Sequence, residues 1–425
     1  MVVRFAGDSG DGIQVTGSQF ADTTGYAGND LLTFPDYPSE IRAPQGTLAG
    51  VSGYQIMFSQ EPVFTPGDRL DVLVALNPAA LKVNLKDLER GGVLVVNSDA
   101  FDAKNLEKAG YKSNPLEDGS LSEYHLTSVA MTQQCLQAVA HLKLSHKDAE
   151  RTKNFYALGL VYWIFNRPLE PTLQWFQEHF ARKEASVAAA NVAALKAGHA
   201  VAESLELQAQ RRVVPAARLP PGRYKNASGN ETLALGLLTA AELSGLPLYL
   251  GTYPITPATD ILHFLARQKG MGVTTFQAED EIAAMASTIG AAYGGSLAVT
   301  TTSGPGLSLK TEGLGLAVML ELPMVVVNVQ RAGPSTGLPT KTEQSDLLMA
   351  LFGRHGEAPL PVIAASSPAD CYWAAIEAAR IAVRHMTPVI LLSDSFLANG
   401  TEPWRIPEMS ELTRFPVQFH TKVEG

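Results

Sequence analysis

Six apolar runs in the second half of the chain, LPLYLG, VTTFQA, SLAVTTTS, MVVVNVQ, PVIAAS and TPVILLSD, are separated from one another by segments of helical spacing. Strands that are apolar throughout have no face to offer water, so they belong in a parallel sheet with helices packed on both sides. The first half repeats the pattern more weakly. VVRFAG, YQIMFS, DVLVAL and GVLVVNS read as strands, and IQVTGSQFADTTGYAG, PAALKVNLKDLER and TKNFYALGLVYWIFN as helices. The alternation predicts the α/β class, with two α/β domains and a mostly parallel, helix-covered sheet in the second. Between the two series lies RRVVPAARLPPGRYKNASGN, rich in proline and positive charge, with no sustained apolar period. Such a stretch is expected to be an exposed connector. The first domain is therefore set at residues 1–205, the linker at 206–228 and the second domain at 229–408.

Composition narrows the function. A formal net charge of −9 over 425 residues argues against nucleic-acid binding, which normally requires a basic face. No stretch of about 18 apolar residues is present to span a bilayer, and the opening MVVRFAGDSG lacks the pattern of a secretory signal, so a cytoplasmic location is expected. The only two cysteines, Cys135 and Cys371, belong to no C-x-x-C pattern. An iron–sulfur cluster normally takes four thiolates, so this chain alone does not supply one. Both cysteines read as small buried apolar groups.

Ligands of parallel α/β sheets bind beyond the carboxyl ends of the strands, and four successive strand ends carry uncommon residues. The first is YPITP, residues 253–257, where two prolines remove two donors and impose an extended path. The second is EDE: Glu279 and Asp280 suit the positive end of a helix dipole, whereas Glu281 opens a helix of small residues that lets another body approach closely. The third is TTTSGPG. Here the amides of the turn at Gly304, Pro305 and Gly306 are expected to point outward beside the hydroxyls of Thr301, Thr302 and Ser303, either as ordinary capping or as a ligand wall. The fourth begins at Arg331, whose guanidinium suits a carboxylate ligand or a structural ion pair. His355, in GRHGE, is a weaker candidate. In the first half, Gly7, Gly10 and Gly12 lie between a strand and a helix, but they form neither a dinucleotide fingerprint nor a P-loop. They suit a tight turn or a phosphate contact equally well.

Glu281 precedes Gly290 by nine positions, a spacing that resembles the thiamine diphosphate enzymes. In them this glutamate hydrogen-bonds N1′ of the aminopyrimidine. GNETLALGLLTA, YPITP, AEDEIAA, TTTSGPGLSLKTEG, QRAGPSTGLPTKTEQSDLL, GRHGE and TPVILLSD, in that order, resemble the alpha subunit of 2-oxoacid:ferredoxin oxidoreductases, above all the 2-oxoglutarate type. The resemblance implies a thiamine pyrimidine-binding domain in which Glu281 is catalytic and Thr256 and Arg331 bind substrate. It further implies that Tyr253, Pro254, Ile255, Pro257, Thr302, Ser303, Gly304 and Pro305 line the cofactor. FAGDSGDGIQVTG, PSEIRAPQGTLAG, DVLVALNPAAL, GGVLVVNS and TKNFYALGL resemble the gamma domain of the same enzymes, which implies coenzyme A contacts at Gly10, Asp11, Gly12 and Arg42. Asp8 and Asp11 must then turn away from the phosphates.

The family's Mg²⁺-binding G-D-G motif followed by a distant Asn is missing, since Gly10-Asp11-Gly12 lies in the other domain. The resemblance therefore implies a beta subunit bearing Mg²⁺, the diphosphate site and a [4Fe-4S] cluster, in an (alpha-beta)2 assembly with ferredoxin as acceptor. The implied reaction is oxidative decarboxylation of a 2-oxoacid to its acyl-CoA, 2-oxoglutarate to succinyl-CoA, or the reverse carboxylation. The alternatives are another 2-oxoacid such as pyruvate, or a non-catalytic nucleotide- or acyl-CoA-binding protein. Many alpha subunits of this group continue well past EPWRIP, so residues 409–425 are expected to begin a further domain.

Overall fold

The computed structural model describes residues 1–38, 43–180, 185–205 and 210–417, so Arg42 lies outside the described residues. The chain forms two compact units, Met1–Pro221 and Gly222–Gly425.

In the first unit, β1 (Val2–Asp8), β2 (Asp30–Asp36), β3 (Val51–Ser59), β4 (Leu70–Ala75), β5 (Leu88–Asn97) and β6 (His125–Val129) make one sheet in the order β2-β3-β1-β4-β5-β6. β1, β4, β5 and β6 run parallel, whereas β2 and β3 pair antiparallel. Alternation along the strands feeds two cores. Val72, Val74, Val93 and Val95 enter one cluster, and Leu73, Ala75, Leu94 and Val96 enter the cluster on the opposite face. The sequence pattern missed β2 and β6, the two edge strands. β2 carries Pro35, which an edge tolerates because its neighbour on one side needs no donor. PAALKVNLKDLER was expected to be helical throughout, but the helix covers only Pro78–Asn84, and the chain is already in β5 by Leu88. The Asn84 amide turns back onto the Ala80 carbonyl at 2.8 Å, a local bond that competes with continued helix.

One face of this sheet is covered by the Lys153–Ile164 helix, in which every residue but Lys153 is buried. It packs on the long Ala185–Ser204 helix through two glycines. A Cβ on Gly198 would stand 1.9 Å from the Tyr156 carbonyl oxygen, and one on Gly159 would stand 2.0 Å from that of Leu195. The two backbones meet because neither position has a side chain.

The second unit contains β8 (Leu248–Thr252), β9 (Val273–Gln277), β10 (Leu297–Thr302), β11 (Met324–Gln330), β12 (Val362–Ala364) and β13 (Pro388–Asp394), ordered β12-β13-β11-β10-β8-β9. Every pairing is parallel. Met324, Val326, Ile390 and Leu392 enter one core cluster, while Val325, Val327, Val389 and Leu391 enter the other, as a sheet buried on both faces requires. The chain starts at β8, steps outward to β9, and returns on the far side of β8 to form β10. Such a reversal opens a crevice at the carboxyl edge. The last five residues of the expected linker form a strand, β7 (Tyr224–Ser228), paired antiparallel with β14 (Thr401–Arg405). Beyond β14, the amides of Phe415 and Val417 bond the carbonyls of Leu243 and Ser244, laying this segment against the end of the Gly229–Ser244 helix. Among the described residues, no helix is long and apolar enough to cross a membrane.

Gly198→Ala is expected to cost roughly 3 kcal/mol or more by forcing the helix pair apart. A denaturant titration should show this as a lower midpoint. Gly315→Ala, in the Thr311–Met319 helix with open space around the new methyl group, should be neutral or stabilising by up to about 1 kcal/mol.

Candidate active site

The YPITP corner leaves the end of β8 without regular structure over residues 253–255 and then turns at residues 256–258, where the Thr256–Pro257 peptide is cis, so the extended path expected through Pro257 is broken by a turn. With two of its five amides replaced by proline, the corner is held through its carbonyls. Asn230 Nδ2 donates to Pro257 O at 2.8 Å, Arg331 Nη1 to Thr256 O at 2.7 Å, and the Thr259 amide to Ile255 O at 3.1 Å. Pro257 is buried, Pro254 and Ile255 are half-buried, and Tyr253 and Thr256 are exposed. The chain is thus stiff while the threonine faces outward.

Asp280 caps the Glu281–Tyr293 helix, its Oδ1 accepting from the Ala283 amide at 2.7 Å. Glu281 is therefore the first helical residue, and its half-buried side chain lies against the third corner. A Cβ on Gly306 would fall 2.9 Å from Glu281 Cγ and 1.9 Å from Thr302 Oγ1. Only glycine lets this turn close onto the glutamate. On the outer side of the same helix, Ile282, Ala286, Gly290 and Tyr293 are exposed, and nothing stands within 4 Å of the Cβ position of Gly290.

The third corner differs from expectation. Two of its amides are spent within the turn: those of Gly306 and Leu307 close on the Ser303 carbonyl at 2.8 and 3.2 Å, and Pro305 has none, so of the three expected residues only Gly304 keeps an amide outside these bonds. Thr301, Thr302 and Ser303 are buried, and the Thr301 hydroxyl is 2.7 Å from that of Thr252, joining the ends of β10 and β8. Ser303 Oγ is buried without a partner. Pro305 packs beside Gly304, whose Cβ position lies 3.3 Å from Asp346 Oδ2.

Arg331 is 6% exposed. Its Nη1 and Nη2 donate to the carbonyls of Thr256 and Thr336, and its Nε has no partner. Burial lowers its pKa from the usual arginine value, and the Glu281 carboxylate acts in the opposite direction. Arg331 and Glu281 thus share one electrostatic neighbourhood. Both terminal nitrogens are thus committed to backbone carbonyls, a structural role distinct from the carboxylate ligand or ion pair that the residue type suggested.

Several residues here were missed in the sequence. Asn328 Nδ2 donates to Asp346 Oδ2 at 2.9 Å, the Asp346 amide to Gln330 Oε1 at 2.9 Å, and Gln344 Nε2 to Asp394 Oδ2 at 2.6 Å. Together they pin the 332–346 loop over the carboxyl edge. Lys310, fully buried, donates to Glu281 O at 2.9 Å and to Thr300 Oγ1 at 3.1 Å. Polar side chains ending or following purely apolar strands were the available signal for the first group, and a lysine among LSLKTEGLGLA for the second. His355 is exposed.

In the first unit, a cleft of about 610 Å³ opens at the carboxyl ends of β1, β4 and β5; Gly10, Asp11, Asn77, Asn97, Arg151 and Lys153 are among its lining. Gly12 does not line it. With φ at 74°, it faces Asn154, whose Nδ2 is 2.5 Å from its Cβ position. Asp11 turns inward, accepting from the Asp8 amide at 2.9 Å and pairing with Lys153 Nζ at 3.0 Å. Asp8 accepts from the Gly46 amide at 3.0 Å, and burial raises its pKa.

A parallel sheet whose strand-end corners converge on a glutamate is the arrangement implied by the resemblance to thiamine diphosphate-binding domains. Residues 244–422 match the family described as pyruvate flavodoxin/ferredoxin oxidoreductase, thiamine diphosphate-binding, and residues 2–201 match pyruvate ferredoxin/flavodoxin oxidoreductase. The solved 2-oxoglutarate:ferredoxin oxidoreductase of Magnetococcus marinus, with 2-oxoglutarate, coenzyme A and succinyl-CoA bound, superposes with a TM-score of 0.82 at 32% identity, covering 100% of this chain and 68% of that one. The 2-oxoglutarate oxidoreductase subunit KorA of Mycobacterium tuberculosis is 57% identical over 412 residues, 97% of this chain and 63% of the relative. The 2-oxoglutarate synthase subunit KorA of Archaeoglobus fulgidus is 41% identical over 46% of this chain and 56% of its own length. The chain belongs to the 2-oxoacid:ferredoxin oxidoreductase family, and it spans about three fifths of the length of these two curated relatives.

Burial lowers the Lys310 pKa from its usual value to about 8, with Glu281 and then Asp280 acting against that shift. Between pH 8 and about 10.5 the unfolded chain then holds a proton on this lysine that the folded chain has lost, so its contribution to stability rises with pH across that window. Lys310→Met should remove a rise of roughly 3 kcal/mol, read from unfolding free energies measured at several pH values.

Proposed function

We propose that this chain is the alpha-type subunit, fused to a gamma-type domain, of an enzyme that oxidatively decarboxylates a 2-oxoacid to its acyl-CoA and passes the electrons to ferredoxin. The reverse carboxylation uses the same site. 2-Oxoglutarate, yielding succinyl-CoA, is the favoured substrate, since both curated relatives carry that name and the Magnetococcus enzyme binds these molecules. The observation that carries the proposal is the closure of Gly306 onto Glu281 beside the buried Arg331.

The residues present fit thiamine diphosphate. Ser303 Oγ and Arg331 Nε are buried polar atoms still lacking partners, and the Glu281 carboxyl stands at a helix start walled by Gly306. Bound there, thiamine diphosphate supplies the nucleophilic carbon and electron sink that loss of CO₂ from a 2-oxoacid requires. Glu281 holds and shares the proton of the aminopyrimidine nitrogen. Tyr253, Pro254, Ile255 and Pro257 form one wall, and Thr302, Ser303, Gly304 and Pro305 the other. Thr256 and Arg331 orient the substrate carboxylate, using the Nε proton that backbone contacts leave free. In the first unit, Gly10 and Asp11 border the cleft proposed for coenzyme A, with Lys147 and Arg151 on its lining to meet phosphate; Gly12 supports the turn from behind, and Arg42 remains assigned to the same ligand.

A beta subunit is proposed to bring the diphosphate site, Mg²⁺ and a [4Fe-4S] cluster, in an (alpha-beta)2 assembly in the cytoplasm. The exposed Ile282, Tyr293, Met319, Leu348 and Phe352 on the helices covering one face of the second sheet support such a covering partner. The domain limits 1–205, 206–228 and 229–408 are proposed as the functional divisions. A second substrate, pyruvate, is favoured by the wording of both family descriptions.

The chain purified with its partner should reduce a viologen dye when given coenzyme A and one member of a 2-oxoacid panel, with 2-oxoglutarate highest in kcat/KM. Glu281→Ala should lower turnover by more than about a hundredfold. Full turnover in that variant, or reduction without any 2-oxoacid, counts against the proposal.

A further inference from the structure

Lys310 sits where two short helices meet, Gly304–Leu309 and Thr311–Met319, with no exposed surface. Leu307, Leu314 and Met285 of the surrounding core cluster are apolar. Its ammonium has two hydrogen-bond acceptors, the carbonyl of Glu281 and the hydroxyl of Thr300 on β10. Among the described residues, no carboxylate lies within ion-pair distance of it. An ammonium so buried carries a desolvation penalty that a methionine of similar length would avoid. Packing alone therefore does not account for a lysine at this position. Its two acceptors do: one belongs to the backbone of the residue on which the proposed chemistry depends, and the other to the central sheet.

The same segment touches Glu281 twice. Gly306 meets the side chain at Cγ, and Lys310, one turn later, holds the carbonyl of the same residue. The first turn of the Glu281–Tyr293 helix is also held by the Asp280 cap, its own helical bonds and the burial of Ala284 and Met285; Lys310 adds a side-chain hydrogen bond to the backbone of Glu281 itself. With its pKa near 8, Lys310 is mostly protonated at neutral pH, and Glu281 and Asp280 are the acids that feel its charge.

We propose that Lys310 is the positioning residue for Glu281, fixing the start of that helix to β10 so that the carboxyl is held against Gly306 at constant reach with a positive charge behind it. The inference rests on the reading of Glu281 as the group that acts on the aminopyrimidine. Lys310 itself touches neither substrate nor cofactor; it acts through Glu281.

Lys310→Met keeps the length and removes the charge, and Thr300→Val removes one acceptor and keeps the charge. In the full chain without cofactor, Lys310→Met should speed amide hydrogen exchange over residues 281–285 by about tenfold or more. In the complex with the partner subunit, it should lower kcat about 10- to 100-fold with the KM for the 2-oxoacid unchanged within about twofold. On a Glu281→Ala background it should cause no further loss, because the two residues act as one unit. Unchanged exchange at 281–285 overturns the proposal, as do losses that multiply in the double variant; both leave the role of Glu281 standing. Full turnover in Glu281→Ala alone overturns the reading of the site and this proposal with it. If Lys310→Met does not fold, Thr300→Val carries the same measurements, with a smaller loss in the same direction expected and wild-type exchange and turnover overturning the proposal.

Discussion

Burial of the four interior strands of the second sheet on both faces is the constraint from which the rest of the site follows. Interior positions of β10, β11 and β13 accept apolar residues on either side, so polar chemistry gathers where the strands end. Parallel pairing brings all those ends to one edge, and the reversal between β8 and β10 leaves a crevice there. Thr252 and Thr301 join the two strands across the base of that crevice. YPITP, Glu281, the Gly306 turn and Arg331 come together because each follows a strand of this sheet, although 79 residues of sequence span from Tyr253 to Arg331.

How much of this was legible in the sequence depended on whether the governing interaction was local. The four interior strands of the second sheet were, since continuous apolar runs between helical segments leave little choice, and so was the absence of helix or strand at YPITP, which two prolines dictate, though not the turn at residues 256–258. The edge strands β2 and β6 were not, because an edge strand is neither uniformly apolar nor cleanly alternating. β7 hid in a linker-like stretch, as its stability comes from β14, some 175 residues away. At the site, Arg331 stood out by its position after a strand, Glu281 by the small-residue helix it opens and its spacing to Gly290, and Thr256 only through the family resemblance of YPITP. Whether amides at the Gly304 turn are free or spent on Ser303 O is a matter of backbone closure that residue types do not specify. Lys310, Asn328 and Asp346 stand out as polar residues in or beside apolar segments, but their roles depend on which distant atom each reaches, which residue types do not specify.

The first unit shows how charge can be hidden in place. Asp8 and Asp11 appeared hostile to any anionic ligand, yet the fold spends both carboxylates on the backbone of their own loop or of the neighbouring one, and Lys153 neutralises the second. Burial works to lower the pKa of Lys153, but Asp11, Glu150 and Asp8 outweigh it and raise the value, so that cation remains committed to the loop. The glycines serve different ends: Gly10 borders open space, while Gly12 yields its volume to Asn154.

Arg331 reaches from the end of β11 past β10 to the corner that follows β8, while its other terminal nitrogen holds Thr336 in the 332–346 loop. One planar group therefore bridges two segments that make no ladder with each other. Those two grips share one rigid plane, so a shift of either segment tilts the donor that holds the other, and the corner and the loop are yoked to a single orientation.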